Sequence, residues 1–159
     1  MRLCVEGSES FNPFYIDELL SFLGEEIKKF NWIFTDIQGY VFHEGEEIIL
    51  PEFEKETFML TGNELHSIIQ KYNILLVFGV VMCVKPDVNI TDIEEFPYIN
   101  NNKEYWGKGY SSPFKNTEIE FGFFDTTVVI VTTDHADLVD KFRKSVHEVS
   151  TLDSFLAEN

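Results

Sequence analysis

Apolar and polar positions follow two rhythms along this chain, and the switches between them mark out the elements. Residues 3–5 read as a short strand closed by Gly7 and Ser8. Ile16, Leu19, Leu20, Leu23, Ile27 and Phe30 then recur at spacings of three and four, which predicts one long helix with a single buried stripe. Asn12 suits its N-cap and Pro13 its first turn. Asp17 and Glu18 complement the positive end of the helix dipole, Lys28 and Lys29 the negative end, and Gly24 interrupts the stripe without ending it. A capping box, Thr61 with Glu64, opens a second helix whose core face is Leu65, Ile68, Ile69 and Tyr72. Thr133 caps a third, with Leu138, Val139, Phe142 and Val146 inward.

The strand rhythm fills the intervals. Residues 31–36 and 39–43 are aromatic and β-branched, and the short link between them predicts a hairpin. Ile48, Ile49 and Leu50 could continue the sheet. Residues 74–84 form an unbroken apolar run, the mark of a strand covered on both faces, with Gly79 as a place for a bulge. Residues 117–121 alternate, with Ile119 and Phe121 inward and Glu118 and Glu120 on a solvated face. Residues 126–132 are a second apolar strand. A capping box at Thr91 and Glu94 allows a turn or two of helix before Pro97, and residues 97–113 read as a long loop. Paired strands mixed with single helices predict an α+β fold. The expectation is a single domain over 1–159: one mainly antiparallel sheet carrying two long helices and one or two shorter ones.

Charge changes the picture most. The chain has 28 acidic and 12 basic side chains, a net charge of −16, yet 44% of its residues are apolar and 15% aromatic. That composition describes a folded domain with a negative surface, not a disordered tail. It disfavours nucleic acid and anionic membrane as partners and favours a basic protein. No signal peptide or membrane span is legible, so a cytoplasmic location is expected. Cys4 and Cys83 lie in strand-like runs and read as buried, reduced thiols.

Catalytic constellations are missing. The one Gly-x-Gly, at Gly107 and Gly109, has no helix after it, and no Cys-x-x-Cys, His-Glu-x-x-His or Gly-x-Ser-x-Gly occurs. His135 and His147, placed on the last helix, stand about 18 Å apart by helix rise and cannot share a metal. His135 beside Asp134 and Asp137, His43 across from Asp36, and the pair Glu118 and Glu120 are weak acid–base candidates; solvated surface explains each of them. The chain is therefore read as a non-enzyme with no cofactor and no metal. An enzyme with a non-local site would instead show a concave pocket where ionisable groups of shifted pKa converge from several elements.

Two segments remain as candidate partner surfaces. Glu44, Glu46, Glu47, Glu52, Glu54 and Glu56 surround the Ile48–Leu50 run with only Lys55 opposing them, and Asp92, Glu94 and Glu95 form a second acidic patch. Tyr105, Trp106 and Tyr110, on a Gly/Asn-rich loop, are residue types that anchor interfaces, although they fold back over a sheet equally often. In size, charge, aromatic richness and lack of catalytic motifs the chain resembles the immunity proteins of bacterial polymorphic and contact-dependent toxin systems. The resemblance implies a compact acidic protein that blocks one cognate toxin, often a basic nuclease, by occupying its active site. The other expectation is a structural or regulatory module of a larger assembly, in which the charge serves only solubility.

Overall fold

The computed structural model describes residues 1–146 and 148–159, and among these eight strands form one antiparallel sheet. In chain order the strands are β1 (Arg2–Val5), β2 (Asn31–His43), β3 (Glu46–Ile48), β4 (Thr57–Thr61), β5 (Asn73–Val84), β6 (Thr117–Phe124), β7 (Val128–Thr132) and β8 (Val149–Thr151). Across the sheet they run β3-β2-β5-β6-β7-β1-β8, and β4 shares with β3 the outer edge of β2. The helices are α1 (Ile16–Leu19), α2 (Gly62–Lys71), α3 (Ala136–Ser145) and α4 (Leu152–Glu158). The α+β class and the antiparallel sheet match the sequence reading.

The two long helices do not form. The stripe from Ile16 to Ile27 is buried as expected, but the backbone is α1 followed by two 3-10 segments, Leu20–Phe22 and Gly24–Lys29. Gly24 adopts φ +54°, a left-handed conformation that no helix interior accommodates, and glycine holds it at little cost. Alternation between helical and 3-10 turns preserves the spacing of apolar residues while breaking the rod. α2 begins where expected: the Thr61 hydroxyl accepts from the Glu64 amide, and the Glu64 carboxylate accepts from the Thr61 amide.

Residues 31–43 are one 13-residue strand, not a hairpin. Asp36, at φ +52°, creates a bulge in β2 opposite Gly79, and β2 pairs with β5 on both sides of it. A two-residue turn would need its flanking strands to face each other; here both halves find a longer partner in β5. The capping box expected at Thr91 and Glu94 falls two residues earlier, at Asn89 and Asp92. Thr133 lies just ahead of α3, its hydroxyl accepting from the His135 amide. The chain then adds β8 and α4, neither anticipated, with Thr151 as the N-cap of α4. His147 lies outside the described residues.

Each face of the sheet has its own core. On one face, α1, the 3-10 segments, α2 and α3 cover Trp32, Phe34, Val81, Phe121 and Val129. Trp32 locks the layers together by donating its indole N–H to the Ile27 carbonyl at 3.0 Å. The other face, with Ile33, Met82 and Ile130, is covered by α4 and residues 85–116. Asn31 pins the start of that long segment, its side-chain amide donating to the carbonyls of Pro86 and Val88. Among the described residues no helix is long and apolar enough to cross a membrane.

Candidate functional site

The six glutamates of residues 44–56 are all exposed along the β3–β4 edge of the sheet. The local sequence explains why. Glu44 and Gly45, both at positive φ, make the tight turn between β2 and β3, and register sets His43 against Glu46 and Phe42 against Glu47. Glu52 and Glu54 flank Phe53 in a 3-10 turn, Pro51–Glu54. Phe53 turns inward, packing edge-on against Phe34 and Phe58, whose rings stack on each other at 4.8 Å. One aromatic anchor thus holds the segment down while its neighbours project outward.

None of the six glutamates forms an ion pair among the described residues. Ile49 beside them is 75% exposed and Tyr40 is 49% exposed. Between the stretch of β2 paired with β4 and the stretch paired with β3, residues 37–40 have no strand on their outer side among the described residues. A hollow of about 380 Å³ opens there, lined by Ile37, Tyr40, Phe53, Glu54 and Glu56. Burial, with Glu56 nearby, pushes the Asp36 carboxyl above its ordinary range.

The second acidic patch is separate. Asp92, Glu94 and Glu95 are exposed, but their neighbour Ile93 belongs to the opposite core, so the two patches lie on opposite sides of the sheet. Tyr105 is fully buried and cannot anchor a surface contact. Trp106 and Tyr110 are half-buried, Trp106 edge-on against Phe124, so the aromatic loop folds back over the sheet. The physical reason is the apolar second face, which has residues 85–116 and α4 to cover it.

Beneath that loop lies an arrangement the sequence did not reveal. Register aligns Arg2, Thr132, Glu120 and Met82 across β1, β7, β6 and β5, all facing the same way. The expected solvated face of Glu118 and Glu120 is therefore overturned: Glu120 is fully buried. Tyr110 donates to Glu120 Oε2 at 2.8 Å, and Arg2 lies over the Tyr110 and Tyr105 rings at 4.5 and 4.9 Å. Arg2 also donates to the Thr132 hydroxyl and to the Gly107 carbonyl. Tyr105 fits because Gly122 below it has no side chain; a Cβ there would stand 2.3 Å from the Tyr105 hydroxyl.

Burial pushes the Glu120 carboxyl above its ordinary range, against the opposing pull of the Tyr110, Ser112 and Tyr105 hydroxyls and of Arg2. Burial likewise raises the phenols of Tyr105 and Tyr110, with Glu120 adding to the shift. Of the four buried side-chain atoms without a hydrogen-bond partner among the described residues, three lie here, Arg2 Nη2, Tyr105 Oη and Glu120 Oε1; the fourth is Asp17 Oδ1. Arg2 and Glu120 border a cavity of about 610 Å³. Sequence alternation placed Glu118 and Glu120 on one face; what covers that face was not readable.

The remaining histidine candidates find other partners. His135 Nε2 contacts Glu118, and His43 Nδ1 lies 3.3 Å from the Lys71 carbonyl instead of reaching Asp36. No cluster of three or more metal-ligating side chains occurs among the described residues. Burial pushes the Cys4 thiol up to about 12 and the Cys83 thiol well above its ordinary value, so neither is an activated nucleophile. Compared with known proteins, the chain matches no family model, no curated protein and no solved structure.

Proposed function

We propose that this protein binds a basic protein partner through the β3–β4 edge and blocks it stoichiometrically, in the manner of a toxin-neutralising immunity protein. One observation carries the reading: six exposed glutamates without ion-pair partners among the described residues adjoin a hollow that exposes Tyr40 and an uncovered stretch of strand edge. Uncompensated carboxylates steer a cationic surface into contact, and a desolvated aromatic supplies the anchor. Ile49 extends the apolar centre of the patch. Asp92, Glu94 and Glu95, on the other side of the sheet, stand outside this interface.

The test is capture of partners at low salt from lysate of the source cell. Wild type is compared with the triple variant Glu46→Lys, Glu47→Lys, Glu54→Lys. The expected result is one basic protein retained one-to-one by wild type, lost by the variant, and toxic when expressed without this chain. Retention of nothing, or only of further copies of itself, would sink the proposal.

One observation favours an enzymatic reading instead. The Glu120 cavity brings ionisable groups from β1, β6 and the covering loop together, as a non-local active site requires. Against it, the group bonded to Glu120 is a phenol that burial keeps protonated, so Tyr110 and Glu120 are not an activated nucleophile–base pair. The cavity supports binding more directly than turnover.

A further inference from the structure

Another cavity, of about 420 Å³, opens within the segment that covers the second core, between residues 95–98 and residues 102–113. It has no part in the β3–β4 edge, and its charge is one-sided. Glu95 and Glu104 line it, no basic side chain does, and neither glutamate forms an ion pair among the described residues. The neighbouring cations are directed elsewhere. Lys108 approaches Asp153 to 3.6 Å, and Arg2 lies over the Tyr105 and Tyr110 rings. Lys103, next to Glu104 in the chain, is exposed and does not line the cavity.

The remaining walls are largely aromatic and apolar. A proline disfavours helix in the residue before it, and residues 96–99 run without helix or turn. Burial alternates along them: Pro97 and Ile99 are buried, Phe96 is half-buried and Tyr98 is 49% exposed. Asn102 holds this stretch in place, donating its side-chain amide to the Tyr98 carbonyl at 2.8 Å. Tyr110, also in the lining, already has its ring engaged by Tyr105 and Arg2. Phe96 and Tyr98 pair with no other ring and no cation among the described residues.

Two unpaired carboxylates beside two uncommitted aromatic rings select a cation, and hydration decides which kind. A hard metal ion requires several oxygen ligands at once, and no cluster of three or more metal-ligating side chains occurs among the described residues. A primary ammonium is a compact, strongly hydrated charge and gains little from apolar walls. A methylated ammonium spreads its charge over methyl groups, which pack on aromatic faces while carboxylates act from nearby. We propose that this cavity binds a small cation of the quaternary ammonium class, seated on Tyr98 and Phe96 in the field of Glu95 and Glu104. Its volume lies within the range of small-molecule sites. Glu95, which stands outside the edge interface, has its role here.

The full chain is titrated at low salt with tetramethylammonium and choline, with the neutral tert-butyl isostere of choline, and with guanidinium and calcium. Calorimetry and the NMR signals of the Tyr98 ring report binding. The expected result is saturable one-to-one binding of at least one methylated cation, with the neutral isostere bound more weakly. Tyr98→Ala should weaken that binding about fivefold, and Tyr98→Phe, which keeps the ring, should retain it. Tyr98 is half exposed, so neither change disturbs the core. Glu104→Gln should weaken binding about threefold. Absence of binding by both methylated cations, equal binding of the isostere, tighter binding of guanidinium or calcium, or affinity indifferent to Tyr98→Ala would overturn the proposal.

Discussion

Glu54 and Glu120 carry the same side chain and have opposite fates. Glu54 stands on a sheet edge with Phe53 beside it as anchor, and water surrounds its carboxylate. Glu120 occupies the middle of the sheet, under a loop, with one oxygen bonded to Tyr110 and the other to nothing among the described residues. The edge glutamates keep their charge in water, which costs the fold little. The buried one shapes a local cavity and makes the fold depend on its protonation. A net charge of −16 therefore says little about which carboxylate matters; position in the sheet decides that.

The comparison can be broken most sharply on the pocket side. Gly122→Ala places a methyl group against the Tyr105 hydroxyl, and the buried ring must shift to admit it. We expect a loss of about 3 kcal/mol in denaturant-derived stability. An unchanged midpoint would show that Tyr105 does not rest on that strand. On the edge side, Phe53→Ala removes the anchor between Glu52 and Glu54 and should cost about 2 kcal/mol, discounted for its partial exposure. Faster proteolysis within residues 50–56 would accompany it.

Protonation separates the two regions next. The folded-state pKa of Glu120 is raised, so its neutral form is the one that suits the fold. Its contribution is fully present below the ordinary carboxyl value of 4.5 and is lost as pH rises from there through the folded-state value. Glu120→Gln should therefore gain on wild type in stability as pH rises across that window. Parallel pH–stability curves would place Glu120 in a wetter site than the one described. The smallest stability effect belongs to the edge: Glu46→Lys, Glu47→Lys and Glu54→Lys together should shift folding by less than about 0.5 kcal/mol each. The same triple change should slow association with a basic partner by roughly tenfold at low salt, an effect that fades as salt is added.

Legibility followed locality. The Thr61–Glu64 capping box was readable because both hydrogen bonds lie within three residues. Both apolar strands, β5 and β7, were visible as runs with no polar face. The stripe from Ile16 to Ile27 told correctly which residues are buried, yet it could not tell a helix from 3-10 turns broken at Gly24, since both keep those side chains inward. Residues 31–43 looked like two strands because the bulge at Asp36 carries the same residue types as a turn. The second core, with residues 85–116 and α4 over it, left almost no periodic signal.

By itself, then, the sequence determined the class of fold, the positions of the strongest strands and the exposure of the glutamates in residues 44–56. These follow from hydropathy period and desolvation cost, properties of each segment alone. Only the tertiary structure decided that Arg2, Thr132 and Glu120 form a row, that Tyr105 and Tyr110 close over it, and that a carboxylate expected in water is buried. Strand order and register bring together residues more than a hundred positions apart, and the pairing free energy that fixes them is summed over the whole sheet. No local window contains it.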